Sequence, residues 1–446
     1  MIALQGLLGV GVILAIGYLL CPSKRAINWR IIAGGVTLQL VIAVAVLRFA
    51  PVQRVFEMIA SLVARVIGFA DQGIVFLFGE RLIDPAGPWG FVFAVKVLPV
   101  IVFFASLMAV LYHLGVMQRV VAGVAWVLRR SMGITGAEAL SASANIFVGQ
   151  TEAPLTVKPY IAGMTRSQLM AVMVGGFATI AGSVMAAYIG MLGDSFGRIQ
   201  VATEGLTGDA AATAMMSGRE LFAKHLLCAS IMSAPAGLVM AKLMLPETQT
   251  PRPESVDALM GDERTTQNVV DAAASGASDG LRLALNVAAM LVAFVALLAM
   301  INWPLTALSE WAPVAAWRAE HGLPALSLQN ILGWMLMPLA WLIGVPWREA
   351  RGLGSLLGTQ VVATEFVAYL DLARLIREGG MHPRTAAIAT YCLCGFANIA
   401  SIGIQIGGLS AIAPERRGDL AALAPRAMLA GALACWMTGA VAGLFL

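Results

Sequence analysis

Two glutamates set the problem. Glu152 sits in Gly149-Gln150-Thr151-Glu152-Ala153-Pro154, and Glu365 follows Thr364; both lie in strongly apolar surroundings. No lysine or arginine lies within five residues of Glu152 to neutralise it. A charge at membrane depth costs at least ~2.5–3.5 kcal/mol on insertion scales, so such a residue faces a cavity, a partner or a substrate. A loop at a membrane surface would leave the carboxylate free, and the local sequence alone does not separate these readings. Two carboxylates could also serve as an acid/base pair. What accompanies them is Gln150, Thr151, Asn145, Asn398 and Ser401, groups suited to holding a ligand, with no nucleophile or phosphate loop.

The chain that must position these groups has 446 residues, 59% hydrophobic and 12% charged, with a mean hydropathy of +0.83. Soluble domains carry about 25% charged residues. This composition specifies an all-α polytopic membrane protein. The net charge of +4 comes without a basic tract, so nucleic acid is not expected as a partner. Cys392 and Cys394 are two apart and would diverge on a helix, and the four histidines form no cluster, so no zinc-type site is expected. The five cysteines read as small core residues.

Apolar runs place eight spans, over 2–20, 31–46, 92–112, 169–192, 221–243, 283–301, 386–412 and 427–446. No basic residue precedes the first, and Lys24, Arg25 and Arg30 follow it, a signal-anchor pattern with the N-terminus outside. Arg119, Arg129, Arg130, Arg416, Arg417 and Arg426 then fall on the inner side, and both termini are expected outside. The stretch 52–69 reads as an amphipathic helix lying in the interface, and 309–329 as an outer loop with a short helix.

Two stretches are apolar but interrupted, 134–161 by Gly149 and Pro154, and 347–376 by Gly352, Gly354, Gly358 and Thr364-Glu365. Irregular backbone at membrane depth is tolerated where it lines a cavity, so both read as re-entrant hairpins with a glutamate near each tip. They also repeat. Ala125-Trp126 precedes one and Ala340-Trp341 the other, and Gln150-Thr151-Glu152 matches Ala363-Thr364-Glu365. Gly176-Phe177-Ala178-Thr179-Ile180-Ala181 then matches Gly395-Phe396-Ala397-Asn398-Ile399-Ala400 at five of six positions. Three spans between the copies would invert the second. Inverted repeats with broken helices and a site at the midplane are the architecture of secondary transporters. The organisation expected is a scaffold region over 1–90, a first repeat over 91–245, a polar cytoplasmic connection over 246–282 and a second repeat over 283–446.

These motifs, together with Cys394-Gly395-Phe396-Ala397-Asn398-Ile399-Ala400-Ser401-Ile402-Gly403-Ile404-Gln405, resemble the concentrative nucleoside transporter family along nearly the whole chain. The resemblance implies a homotrimer in a bacterial inner membrane, both termini periplasmic, with a nucleoside site in each protomer and uptake driven by Na+, or in some members H+. It implies base contacts from Gly149, Gln150, Thr151, Glu152 and Val184. Ribose contacts would come from Glu365, Phe396, Asn398 and Ser401. Na+ ligands would be Asn145, Val148, Thr179 and Ile180. Thr364 and Thr179 depart from the asparagine and serine usual in the family, and each keeps an oxygen. Gly149-Gln150 resembles members that accept pyrimidines, so a uridine-like substrate is expected. The same architecture could carry another solute, such as a nucleobase.

Overall fold

A computed structural model describes residues 2–83, 92–250, 266–321 and 323–446. Among these residues the chain is helical with no strand. The helices that matter for the site, in chain order, begin with α1 (Ile2–Leu19), α2 (Trp29–Leu47) and α3 (Ala50–Phe78). α4 (Leu98–His113) follows a short helix, Phe93–Lys96, and the join falls at Val97 because Pro99 has no N–H to continue the ladder. α5 (Val116–Met132) is bounded by Gly115 and Gly133, both left-handed. α6 (Gly136–Ala144) gives way to irregular backbone through Glu152, then to a tight turn, Ala153–Val157.

α7 (Arg166–Ala178) and α8 (Gly182–Glu204) are the two parts of one interrupted span. They are followed by α9 (Gly208–Met244) and α10 (Val269–Glu310). α11 (Leu328–Leu342) and α12 (Trp347–Val362) meet at 119° around the left-handed Gly344. α13 (Glu365–Arg377), α14 (Pro383–Cys392), α15 (Ile399–Ile412) and α16 (Arg417–Gly443) complete the chain.

The interior belongs to α7, α8, α9 and α16. The most apolar window of the α7–α8 span is 94% buried and that of α9 89%, against 11% for α10. α10 rides instead on α4, where Gly276 and Gly280 let the backbones close on Ala105, Ala109 and Val102. α6 and α7 both start from a capping box, Thr135 with Glu138 and Thr165 with Gln168. The two starts are tied together: Gln168 Nε2 donates to Thr135 Oγ1 at 3.3 Å. Lys242 of α9 pairs with buried Glu138 and donates to Ser167 Oγ at 3.0 Å. Thr165 Oγ1 donates to Glu247 at 2.7 Å. Further along α9, Arg219 bonds Asp194 of α8 at 2.7 Å and Asp71 of α3 at 2.9 Å.

Among the described residues seven helices are long and apolar enough to cross a membrane, eight if α11 and α12 count as one bent span. α3 is among the seven: it runs to 29 residues, past the expected end at Phe69, and buries Ala60, Ala64, Ile67, Ala70 and Ile74 along one stripe. α1 and α15 are shorter apolar helices. α5 and α11 were not expected as separate helices; they carry the Ala125-Trp126 and Ala340-Trp341 pairs. α12 runs straight through Gly352, Gly354 and Gly358 and breaks only at Ala363-Thr364. Gly354 and Gly358 are there for contact: a Cβ on either would press on α11, at Gly333 or Leu332. Within the stretch 246–282, α10 starts at Val269 behind an Asn268 cap that accepts from the Asp271 amide; residues 251–265 lie outside the described part. The 309–329 segment does carry a short helix, Ala312–Glu320.

Candidate functional site

The irregular segments converge. α7 ends at Ala178 and α8 starts at Gly182; α14 ends at Cys392 and α15 starts at Ile399. The first break falls within the repeated core at 176–181. The second, over 393–398, overlaps the matching core at 395–400 and leaves Cys394 off any helix. Phe396 N donates to Thr179 O at 3.3 Å, so the breaks touch backbone to backbone. Cys435 of α16 bridges them as well, its thiol 3.5 Å from Ala178 O and 3.6 Å from Cys394 O. Gln360 of α12 supplies Leu393 O and Gly395 O from one side-chain amide. Unwound peptide in an apolar interior must be satisfied in this way.

Glu365 opens α13, where the helix dipole favours an anion, and Thr364 caps that helix by accepting from Val367 N. Both carboxylate oxygens are held. Tyr188 Oη donates to Oε1 at 3.1 Å, and Asn398 Nδ2 donates to Oε2 at 2.7 Å. Asn398 works twice, because its Oδ1 caps α15 by accepting from Ser401 N at 2.8 Å. Tyr188 is itself fixed, stacked on Tyr369 with ring centroids 4.1 Å apart and set edge-on to Phe366.

The other hairpin brings Gln150 and Glu152. Gln150 Nε2 donates to Ser401 Oγ at 3.2 Å, and its Oε1 accepts from Gln405 Nε2 at 3.1 Å. Gly176 of α7 makes room for this pair; a Cβ there would meet Gln405 Nε2 at 2.5 Å. Glu152 Oε2 accepts from Gly149 N at 3.1 Å and is otherwise open.

These groups line one cavity of about 450 Å³. Gly149, Gln150, Thr151, Glu152 and Val184 are on its wall, and so are Glu365, Phe396, Asn398 and Ser401. The size suits a small polar molecule. Thr364 is on the wall too, as are Phe366 and, from α10, Asn286 and Met290, three residues not singled out in the sequence. A second cavity of about 380 Å³, lined by Tyr112, His113, Ser183 and Asp279, shares Glu152 and Ala181 with the first. Glu152 therefore stands in the partition between them.

Asn145, Val148, Thr179 and Ile180 are not on the wall of the first cavity, and Val148 lines the second. Gly182 N donates to Phe147 O at 2.9 Å, which pins the hairpin to the first break. Asn145 Nδ2 donates to Ser141 O at 3.0 Å, while its Oδ1 is buried with no hydrogen-bond partner. Thr179 Oγ1 donates to Gly175 O at 2.8 Å, and Gly175 lies against the Asn145 amide. Val148 and Ile180 are both in irregular backbone. Together these supply hard oxygens, one of them orphaned, which fits Na+. Among the described residues no group of three or more His, Cys, Asp and Glu could hold a metal ion.

Three family models match this chain. They are Na+ dependent nucleoside transporter N-terminus over residues 8–81, nucleoside recognition over 94–195, and Na+ dependent nucleoside transporter C-terminus over 225–443. An uncharacterized transporter of Haemophilus influenzae is 43% identical over 453 residues, covering 100% of this chain and 98% of that protein. The chain belongs to the concentrative nucleoside transporter family. It is a multi-pass membrane transporter and not an enzyme. The family relative YutK of Bacillus subtilis is 41% identical, with 99% of each chain covered. Mouse solute carrier family 28 member 3 is 38% identical over 96% of this chain but only 56% of its own length. Among solved structures of the family, CNTnw in an inward-facing substrate-bound state gives a TM-score of 0.85 at 42% identity, covering 100% of this chain and 98% of that one. A single-substitution variant of CNTnw in its intermediate 1 state gives 0.86, also at 42% identity and with 100% of both chains covered.

Proposed function

We propose that this chain imports nucleosides by Na+ symport across a bacterial inner membrane, with uridine as a good substrate. The observation that carries the reading is the buried Glu365 carboxylate, held by Tyr188 and Asn398 in the wall of the cavity that also presents Gln150 and Glu152. A carboxylate accepts from vicinal hydroxyls, so Glu365 with Asn398 and Ser401 suits the ribose, and Phe396 packs beside the sugar. Gln150 offers donor and acceptor to a base edge, with Gly149, Thr151, Glu152 and Val184 around it. Na+ is held by the Asn145 side chain, the Thr179 hydroxyl and the Val148 and Ile180 carbonyls. The orphaned Asn145 Oδ1 supports this assignment.

Ion and base then share a hairpin, since Asn145 and Val148 lead directly into Gly149-Gln150. Filling the ion site orders the segment that reads the base, and that is the route of coupling. We read 91–245 and 283–446 as inverted repeats with hairpins over 134–161 and 347–376, 1–90 as scaffold and 246–282 as the cytoplasmic connection. The functional unit is a homotrimer with each protomer complete and with periplasmic termini. The test is radiolabelled uridine uptake into proteoliposomes. Uptake driven by an inward Na+ gradient and lost in choline is expected; equal uptake in both, with a response to a pH gradient, assigns coupling to protons instead.

A further inference from the structure

Gln405 stands outside the cavity wall, 1% exposed on α15, and no part of the reading above uses it. Its Nε2 lies between two acceptors, Met173 O at 3.0 Å and Gln150 Oε1 at 3.1 Å. Met173 O is a peptide carbonyl of α7 and can only accept, so it fixes which end of the Gln405 amide faces it. The remaining N–H of that nitrogen must then meet an acceptor, which fixes which end of the Gln150 amide faces Gln405. A glutamine amide on its own turns over at little cost, because its last torsion is broad and roughly two-fold. Here the turned arrangement would set N–H against N–H in a buried space and leave a donor unpaired.

We propose that Gln405 is a positioning residue for base selectivity: it holds the Gln150 amide in one sense, anchored on the Met173 carbonyl. The proposal rests on the base-contact reading of Gln150. With its Oε1 toward Gln405 and one N–H on Ser401 Oγ, Gln150 keeps one N–H and one lone pair for a ligand, in a fixed order. That order matters to pyrimidines. Uracil presents N3–H as donor beside O4 as acceptor, whereas cytosine presents N3 as acceptor beside N4–H as donor. A locked amide meets the two edges in opposite senses; a free amide turns to suit either.

The experiment measures the ratio of apparent KM for uridine and cytidine, and alongside it the ratio for uridine and 2′-deoxyuridine, in the full-length transporter. Gln405→Met keeps length and burial and removes the anchor. The uridine-to-cytidine ratio is expected to move at least about fivefold toward one, while the ribose ratio stays within about twofold. Gln405→Glu, protonated, spends its one hydroxyl proton on Met173 O and leaves that same oxygen facing Gln150 as an acceptor only, so the amide turns over and the base preference is expected to reverse. It serves as the second variant should the first fail to fold. Uridine-to-cytidine ratios unmoved in the folded variants, while Gln150→Leu does move the ratio, overturn the inference and leave the base contact standing. A ratio that Gln150→Leu also leaves unmoved overturns the base contact and the inference with it.

Discussion

Glu365 concentrates the chemistry of the site at one residue. Its oxygens are already satisfied by Tyr188 and Asn398, so a ligand hydroxyl adds to a prepared acceptor instead of creating one. Hydrogen bonds to a charged group contribute about 1.5–3 kcal/mol each. Glu365→Gln replaces the charged acceptor with an amide whose NH2 faces existing donors, and uridine uptake is expected to fall by about 10- to 100-fold. Proteoliposome uptake measures this, and full activity would remove Glu365 from the site. Asn145→Ala deletes the orphaned Oδ1 while leaving the helix end in place. It is expected to raise the Na+ concentration needed for half-maximal uptake by about tenfold or more, with a smaller effect on uridine at saturating Na+. A Na+ titration of uptake checks it. The same scale shows what the sequence could convey. Glu152, Glu365, Asn398 and Ser401 stood out because polar groups are costly in apolar runs. Tyr188 and Gln405 did not, because their meaning lies in partners 177 and 255 residues away.

At the level of elements, the site is built from helix ends, not helix faces. Thr364 and Asn398 are caps, and each cap places the next polar group: Glu365 opens α13 and Ser401 lies in the first turn of α15. The break at 179–181 was legible in its small polar core; the one at 393–398 was legible only at its Asn398 end, because Leu393-Cys394-Gly395-Phe396 carries no polar side chain to mark it. α5 and α11 were not, since amphipathic helices beside a span blur into loop when periodicity is judged against a 20-residue apolar window. The glycines of α12 misled for a related reason: Gly354 signals a close crossing with α11, and sequence alone does not distinguish crossing from breaking. The roots of α6 and α7, at the opposite ends of these helices from the proposed ion ligands, hang on Lys242. Lys242→Met leaves Glu138 buried without its counter-charge and is expected to cost about 3–5 kcal/mol. Adding Glu138→Gln, which keeps the capping box, should recover much of that loss. Melting of the detergent-solubilised variants measures both, and equal losses in single and double variants would show the pair to be inert.

On the scale of the molecule, burial sorts the helices into two groups. α7, α8, α9 and α16 enclose the site, while α10 contributes Asn286 and Met290 to the cavity and leaves most of its length uncovered. The α4–α10 pair, zipped by Gly276 and Gly280, thus presents an extended apolar face. Lipid or further copies of the chain cover such a face, and the homotrimer we propose predicts a native mass near three times 46.8 kDa after detergent is subtracted. Light scattering of the purified protein decides it, and a monomeric mass with full uptake would refute the trimer.

The hydrogen bond from Phe396 N to Thr179 O has a spectroscopic use. One amide proton lies where the break at 179–181 meets the break at 393–398, and it exchanges with solvent deuterium only when the two separate. Its exchange rate therefore counts the openings of the whole centre. Slowing by Na+ alone, by uridine alone, and by both together would give the interaction energy between cargo and ion at a single atom.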